Sequence, residues 1–349
     1  MLKQLGASLL LALLLIPSSL LANCYIGGTN ERLENYCLIH AINGSEISIS
    51  TARQFDIRMR REGYQSDLGL NYAAPKSAFG AAIYPTLKYS NNLNGGNPPT
   101  DLVLGNFAFQ SDPNYYLKTG LIGGATLGLG GRYIYGEGRY LNYNINGGYA
   151  KNPQHDLEVM SADFNLCSFN HIVDWWNLDA CLSGSSVQKE LSQQKTTSMS
   201  ISMSKIFNGK LDRYHQVGMS INRLYMNDYT QDQLKLSVDT IYTNNFTSKA
   251  EIGFGEAVTN QLATRLSIAT RVAIRVAGDP VILNADYSEA SGGKLLGYDR
   301  SEQRFSLSAS RPVSHYFNLT IGYQVIDSNI DYFDARYPSI GIELTPISF

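Results

Sequence analysis

The chain has 349 residues, a formal net charge of −2 and 17% charged residues, below the roughly 25% usual in soluble domains. A near-neutral chain without a basic run offers nothing to a phosphate backbone, so nucleic acid is not an expected partner. Abundant Gly and Tyr (31 and 23, against two Trp) suit many short strands with aromatic belts, and no internal segment approaches an apolar 20-mer, which excludes helical membrane spans.

Residues 1–22 read as a secretory signal peptide: Lys3 near the start, an apolar run from Leu9 to Leu15, and Ala22 at the end. The run is too short to span a bilayer. Export places the four cysteines, Cys24, Cys37, Cys167 and Cys181, in an oxidising compartment. Their even number predicts two local disulfides, Cys24–Cys37 and Cys167–Cys181. Leu21-Ala22-Asn23-Cys24 also resembles a bacterial lipoprotein box, in which Cys24 would carry lipid. Asn23 fits that box poorly, and acylation would strand Cys37 as a free thiol, so the disulfide is the expectation.

Residues 23–77 differ from the rest and are expected to form a small periplasmic extension or plug. ERLENYCLIHAI, Glu31 to Ile42, has helical spacing, and Asn30 stands where it can cap the first turn. Glu46 to Arg60 and Gln65 to Tyr72 read as short extended pieces. The segment is too short for a large core of its own.

Residues 78–349 alternate with a period of two. The clearest stretch is Gln261 to Gly278: Leu266, Ile268, Val272, Ile274 and Val276 fall on one side, Arg265, Ser267, Arg271 and Arg275 on the other. Phe317, Leu319, Ile321 and Tyr323 likewise oppose Asn318, Thr320 and Gln324. Fourteen strands are predicted, near 78–90, 119–135, 138–150, 157–172, 176–190, 195–207, 213–226, 232–243, 246–257, 261–277, 281–288, 302–311, 315–327 and 334–349. Tight turns are expected at Gly136-Glu137, Val173 to Trp175, Asn208 to Lys210, Gly278 to Pro280 and Arg311-Pro312, and longer polar loops at Glu289 to Ser301 and Asp327 to Arg336. Short connections on one rim and long ones on the other describe an all-β, closed antiparallel transmembrane barrel. Asp101 to Phe109, DLVLGNFAF, also looks extended. It is assigned to the first long loop, as a surface hairpin or folded into the lumen, because a barrel with both ends on one rim needs an even count; sixteen strands is the alternative.

The polar side of these strands carries the candidate site. Arg265, Arg271 and Arg275 form a ladder; Asp163, Asp179, Lys235, Asp239, Glu251 and Glu343 take interior positions on other strands. Two readings stand. The arginines give a water-filled pore an anion preference, or the carboxylates neutralise them across a narrow lumen; Arg serves both, since it keeps its charge and forks to carboxylates. Cys167 and Cys181 each lie seven residues from Asp174 on this side. A turn centred there sets them directly opposite, within disulfide reach.

Asp327-Ser328-Asn329-Ile330-Asp331 begins like a calcium loop, but Tyr332 and Pro338 stand where such a loop needs Gly and Glu, so a solvated acidic loop is expected and no metal. The five histidines, His40, His155, His171, His215 and His315, make no metal-binding or catalytic motif, and no G-x-S-x-G occurs. Neither a cofactor nor an enzymatic activity is expected.

The end of the chain, with Ile340, Ile342 and Leu344 alternating before Ile347-Ser348-Phe349, resembles the C-terminal strand of Gram-negative outer-membrane proteins. That resemblance implies that Phe349 is the signal read by the barrel-insertion machinery, and that outer-membrane lipid is the surrounding partner. Pro346 departs from the pattern by removing one ladder donor. Tyr89-Ser90-Asn91-Asn92-Leu93-Asn94-Gly95-Gly96 and the strand count resemble the barrel domain of surface lipoprotein assembly modifiers, which implies an exported lipoprotein as partner. The helical-repeat domain that precedes the barrel in that family has no room here. Two functions follow: a channel for small polar solutes, or help in exporting or displaying another protein.

Overall fold

In the computed structural model the described residues are Cys24, 30–42, 56–64, 77–210, 213–242, 246–276, 279–314, 317–344 and 347–348. The expected signal peptide and Phe349 lie outside them. Two helices come first, α1 (Glu31–Ile42) and the short α2 (56–61). Asn30 caps α1, its Oδ1 accepting the Arg32 N–H at 3.0 Å. The expected extended reading of Glu46 to Arg60 is corrected over 56–61, where Asp56 and Arg60 pair one turn apart at 3.0 Å and favour helix. The remainder of that stretch, and 65–72, lie outside the described residues.

Next come β1 (Ser77–Ser90), a hairpin of β2 (Leu102–Leu104) and β3 (Phe107–Phe109), then β4 (Gly120–Gly136), β5 (Arg139–Asn152), β6 (Leu157–Val173) and β7 (Trp176–Gln188). They are followed by β8 (Gln193–Asn208), β9 (Tyr214–Met226), β10 (Thr230–Tyr242), β11 (Phe246–Gly255), β12 (Ala263–Val276) and β13 (Asp279–Leu295). The last are β14 (Tyr298–Ser314), β15 (Phe317–Ser328), β16 (Ala335–Leu344) and β17 (Ile347–Ser348). From β4 to β16 each strand pairs antiparallel with the next, and β4 with β1. The ring closes where Thr86, Leu87 and Lys88 of β1 meet Glu343, Ile342 and Gly341. β17 continues that seam at Ala82 and Ile83. The result is a closed up-and-down barrel of fourteen staves, β1 and β4 to β16. Closure removes the sheet edges, which hydrocarbon does not tolerate.

The register fixes two faces. Leu127, Ile145, Met199, Ile201, Ile221, Ile268, Leu307, Ile321 and Ile340 all point outward and are exposed, Ile201 and Ile221 at 61%. Outward aromatics lie in two belts: Phe79, Tyr133, Tyr135, Trp176 and Phe207 toward the rim that carries the termini, Tyr89, Tyr149, Tyr225 and Phe254 toward the other. An apolar band between aromatic belts around a closed barrel is an outer-membrane exterior, and the terminal rim is periplasmic.

The rims depart from expectation in two places. Glu289 to Ser301 is not a loop: β13 and β14 run on as a hairpin turning at Leu296-Gly297, beyond the ends of their neighbours. The Ser-Gly-Gly that suggests a loop sits at a register shift between Ala290 and Gly293, with Gly292 at φ +94°. Glycine there serves a bulge. Arg311-Pro312 lies inside β14 rather than in a turn, with the ladder shifting after Pro312. Asp101 to Phe109 is the β2–β3 hairpin, outside the ring.

Candidate functional site: a polar lumen with a helical plug

One helix touches strands on well-separated parts of the ring, which is possible only from inside. Arg32 of α1 donates from Nη1 to both carboxylate oxygens of Asp179 on β7, at 2.9 and 3.0 Å. Glu31 accepts from Arg132 of β4 at 2.9 Å. Leu33 and Cys37 pack with Ile206, Tyr214 and Ile241 at the periplasmic ends of β8, β9 and β10. Arg32 also lies over the Phe169 ring at 5.2 Å, and Arg132 over Tyr140 at 4.4 Å. The Cys24–Cys37 disulfide ties the segment ahead of α1 to the helix. α2 joins the same unit through Arg58, which donates to Glu34 at 3.1 Å.

The turn beneath the plug is unusual. Asp174 and Trp175 both have positive φ, +45° and +60°. Asp tolerates that conformation; an indole does not choose it. The Trp175 ring is held against Tyr36 at 4.9 Å and near Tyr64 at 6.3 Å, so packing on the plug fixes the turn. Seven residues from Asp174 along β7 and β6, Cys181 and Cys167 face each other and form the second disulfide, Cα to Cα 4.1 Å.

Of the expected interior charges, Asp179 belongs to the plug. Lys235 and Glu251 pair with each other at 2.9 Å. Asp239, Lys249 and Arg271 stand side by side on adjacent strands, followed by Asn284. Asp163 takes a hydrogen bond from Asn146 at 2.7 Å. With Asn144, Asn318, Thr86 and Glu343 it lines a common cavity of about 410 Å³. Arg275 stands near the periplasmic end, opposite Pro280. Arg265 is set apart: it falls at the register shift between Thr264 and Leu266 and lines a separate cavity with Glu289, Glu302 and Asp327. The three arginines therefore do not form one continuous ladder. Among the described residues no carboxylate pairs with Arg265 or Arg271. Lys249 escaped the sequence reading although it lies two residues from Glu251 in the same strand; extending the period would have found it.

The opposite mouth is also crossed. In the loop between β1 and β4, Leu93 is buried against inward-facing Ile122 and Leu157. Lys189 donates to the Asn92 carbonyl at 2.6 Å, and Leu191 N–H to that of Asn94 at 2.8 Å. Farther along, the β2–β3 hairpin meets Tyr298 and residues 329–332. The loop thus joins the β7–β8 connection to the β13–β14 and β15–β16 tips, nearly opposite on the ring. The stretch Asp327 to Asp331 sits at that rim as surface loop and strand end; no group of metal-binding side chains occurs among the described residues.

No protein-family model matches the sequence, and no curated protein matches it. Among solved structures, OprB of Pseudomonas putida at high pH is similar with a TM-score of 0.45 and 9% identity, covering 78% of this chain and 94% of that one. The outer membrane protein OpdK of Pseudomonas aeruginosa gives 0.43 and 8%, over 78% and 99%. A BenF-like porin of Pseudomonas fluorescens Pf-5 gives 0.41 and 8%, over 78% and 99%. Likeness at this level is one of barrel architecture and says nothing of cargo.

Proposed function

We propose that the barrel is a channel for small polar solutes across the outer membrane, narrowed outside by the β1–β4 loop and inside by the plug. The observation that carries this is the unlike character of two lumen arcs. On β11 and β12, Lys249 stands beside Arg271, whose side chain has no acid partner among the described residues. Seven staves away, β4 and β5 with neighbouring β6 present amides, Thr126 and Asp163. A structural core would be apolar; a wall of unpaired ions and amides needs water or a passing solute to satisfy it. The lumen binds by charge and hydrogen bonding, and transport through it is passive.

Planar-bilayer recording tests this. A steady conductance is expected, with an anion preference that Arg271→Glu lowers or reverses. Electrical silence under all conditions, with loss of a surface-exposed lipoprotein from a deletion strain, would favour export instead.

A further inference from the structure

The plug contains a buried acid that its ion pairs leave out. Glu62, just after α2, is 0% exposed, as is Asn35 beside it, and neither side chain makes a well-formed hydrogen bond among the described residues. Glu62 is faced from α1 by Glu31, Arg32 and Asn35, from β4 by Arg132, from β5 by Tyr140, and from its own segment by Tyr64. A carboxylate in such a place lacks the donors that water supplied, and the protonated form is favoured. Burial, then the like charge of Glu31, push the Glu62 carboxyl up to about 7, against the pull of Arg32, Asn35 and Arg132.

No disulfide fastens the described plug to the wall: one is internal to the plug, the other to the barrel. Among the described residues its polar holds include the Arg32–Asp179 and Arg132–Glu31 pairs and a bond from Arg132 to the Arg61 carbonyl at 3.3 Å. An ionised Glu62 sets a second carboxylate beside Glu31, and the two compete for Arg132. We propose that the plug is a proton-dependent gate, docked across the periplasmic end of the lumen while Glu62 is protonated and released when Glu62 gives its proton to water. This deepens the channel reading and rests on it.

The sign follows from the raised value. Below about 4.5 the acid holds its proton in docked and released plug alike; between there and about 7 only the docked plug keeps it, so docking weakens as pH rises, and above that the loss is complete. Full release shifts the docked-to-released ratio on the order of a hundredfold.

The indole under the plug gives a readout independent of current. In Trp176→Phe the full-length protein retains Trp175 alone of its two tryptophans, lying on Tyr36 and near Tyr64. Its fluorescence, in vesicles between pH 4 and 8, is expected to change with a midpoint below about 7, with bilayer conductance rising over the same range. Glu62→Gln should remove both responses; His40 and His171, which also stand near these rings, are untouched by it. As a second variant, cysteines at Leu33 and Ile206, packed in one cluster, should lock the plug when oxidised and restore the response when reduced. Fluorescence that follows pH equally in Glu62→Gln overturns the gate. So does a conductance that never varies with pH over a silent Trp175, though the channel reading survives. A Trp175 response that needs Glu62, without current at any pH, keeps the moving plug and sinks the channel.

Discussion

The staves from β4 to β10 and those from β11 round to β16 carry the same two-residue period but face different things within. On the first arc, inward Asp179, Ile206, Tyr214 and Ile241 are covered by α1, and the buried apolar cluster of the plug lies here. On the second, Lys249, Arg271, Asn284 and Glu343 have no helix among their described neighbours. Their outward faces are alike, with Ile221 on one arc and Ile321 on the other both exposed to lipid. Lipid imposes one rule on every stave, while the described interior is packed by the plug along one arc and lined by polar side chains along the other.

The largest effect should come from the plugged arc. Arg32→Ala leaves Asp179 buried without its partner, a change that costs about 3–5 kcal/mol in buried pairs. The plug should undock while the barrel persists, read as new protease sensitivity within residues 30–64 and unchanged heat-modifiable gel migration. Loss of the barrel itself would mean that plug and ring fold as one unit. Next, Ile268→Lys on the lipid face of β12 should cost about 2–4 kcal/mol near the midplane, whereas Ala269→Lys, one residue on and facing inward, should be tolerated better. Equal losses of folded barrel would erase the distinction between faces. The smallest change is at the rim: Arg223 and Asp232, outward-facing and paired at 3.0 Å with half-exposed side chains, should contribute less than about 1 kcal/mol. Arg223→Ala should therefore leave the unfolding midpoint almost unmoved.

These contrasts mark what the sequence could and could not convey. Alternation locates the outer face because lipid forbids charge there, and all fourteen staves follow from it. Cys167 and Cys181 were legible for the same reason, since a two-residue period about Asp174 leaves them opposite each other. The role of Asp179 was not, because only a contact 147 residues distant tells it from Asp163. Gly292 and Pro312 misled for a local reason: both punctuate loops more often than strands, and the ladders on either side override that preference here. Leu93 had no signal at all; an isolated leucine in an Asn-Gly stretch does not reveal that it closes over Ile122.

The joint between first and last staves has a mechanical consequence. Among the described residues β1 shares fourteen rungs with β4, from Ser77 to Ser90, but three with β16 and two with β17. Beyond Lys88 the Asn91 amide reaches across, donating to the Pro338 carbonyl at 2.9 Å. A hoop under tension parts where the fewest fasteners share the load. Drawn from its C-terminus by a cantilever, the ring should open along this line first and then lose staves singly in reverse chain order, giving a sawtooth trace whose opening peak is the lowest.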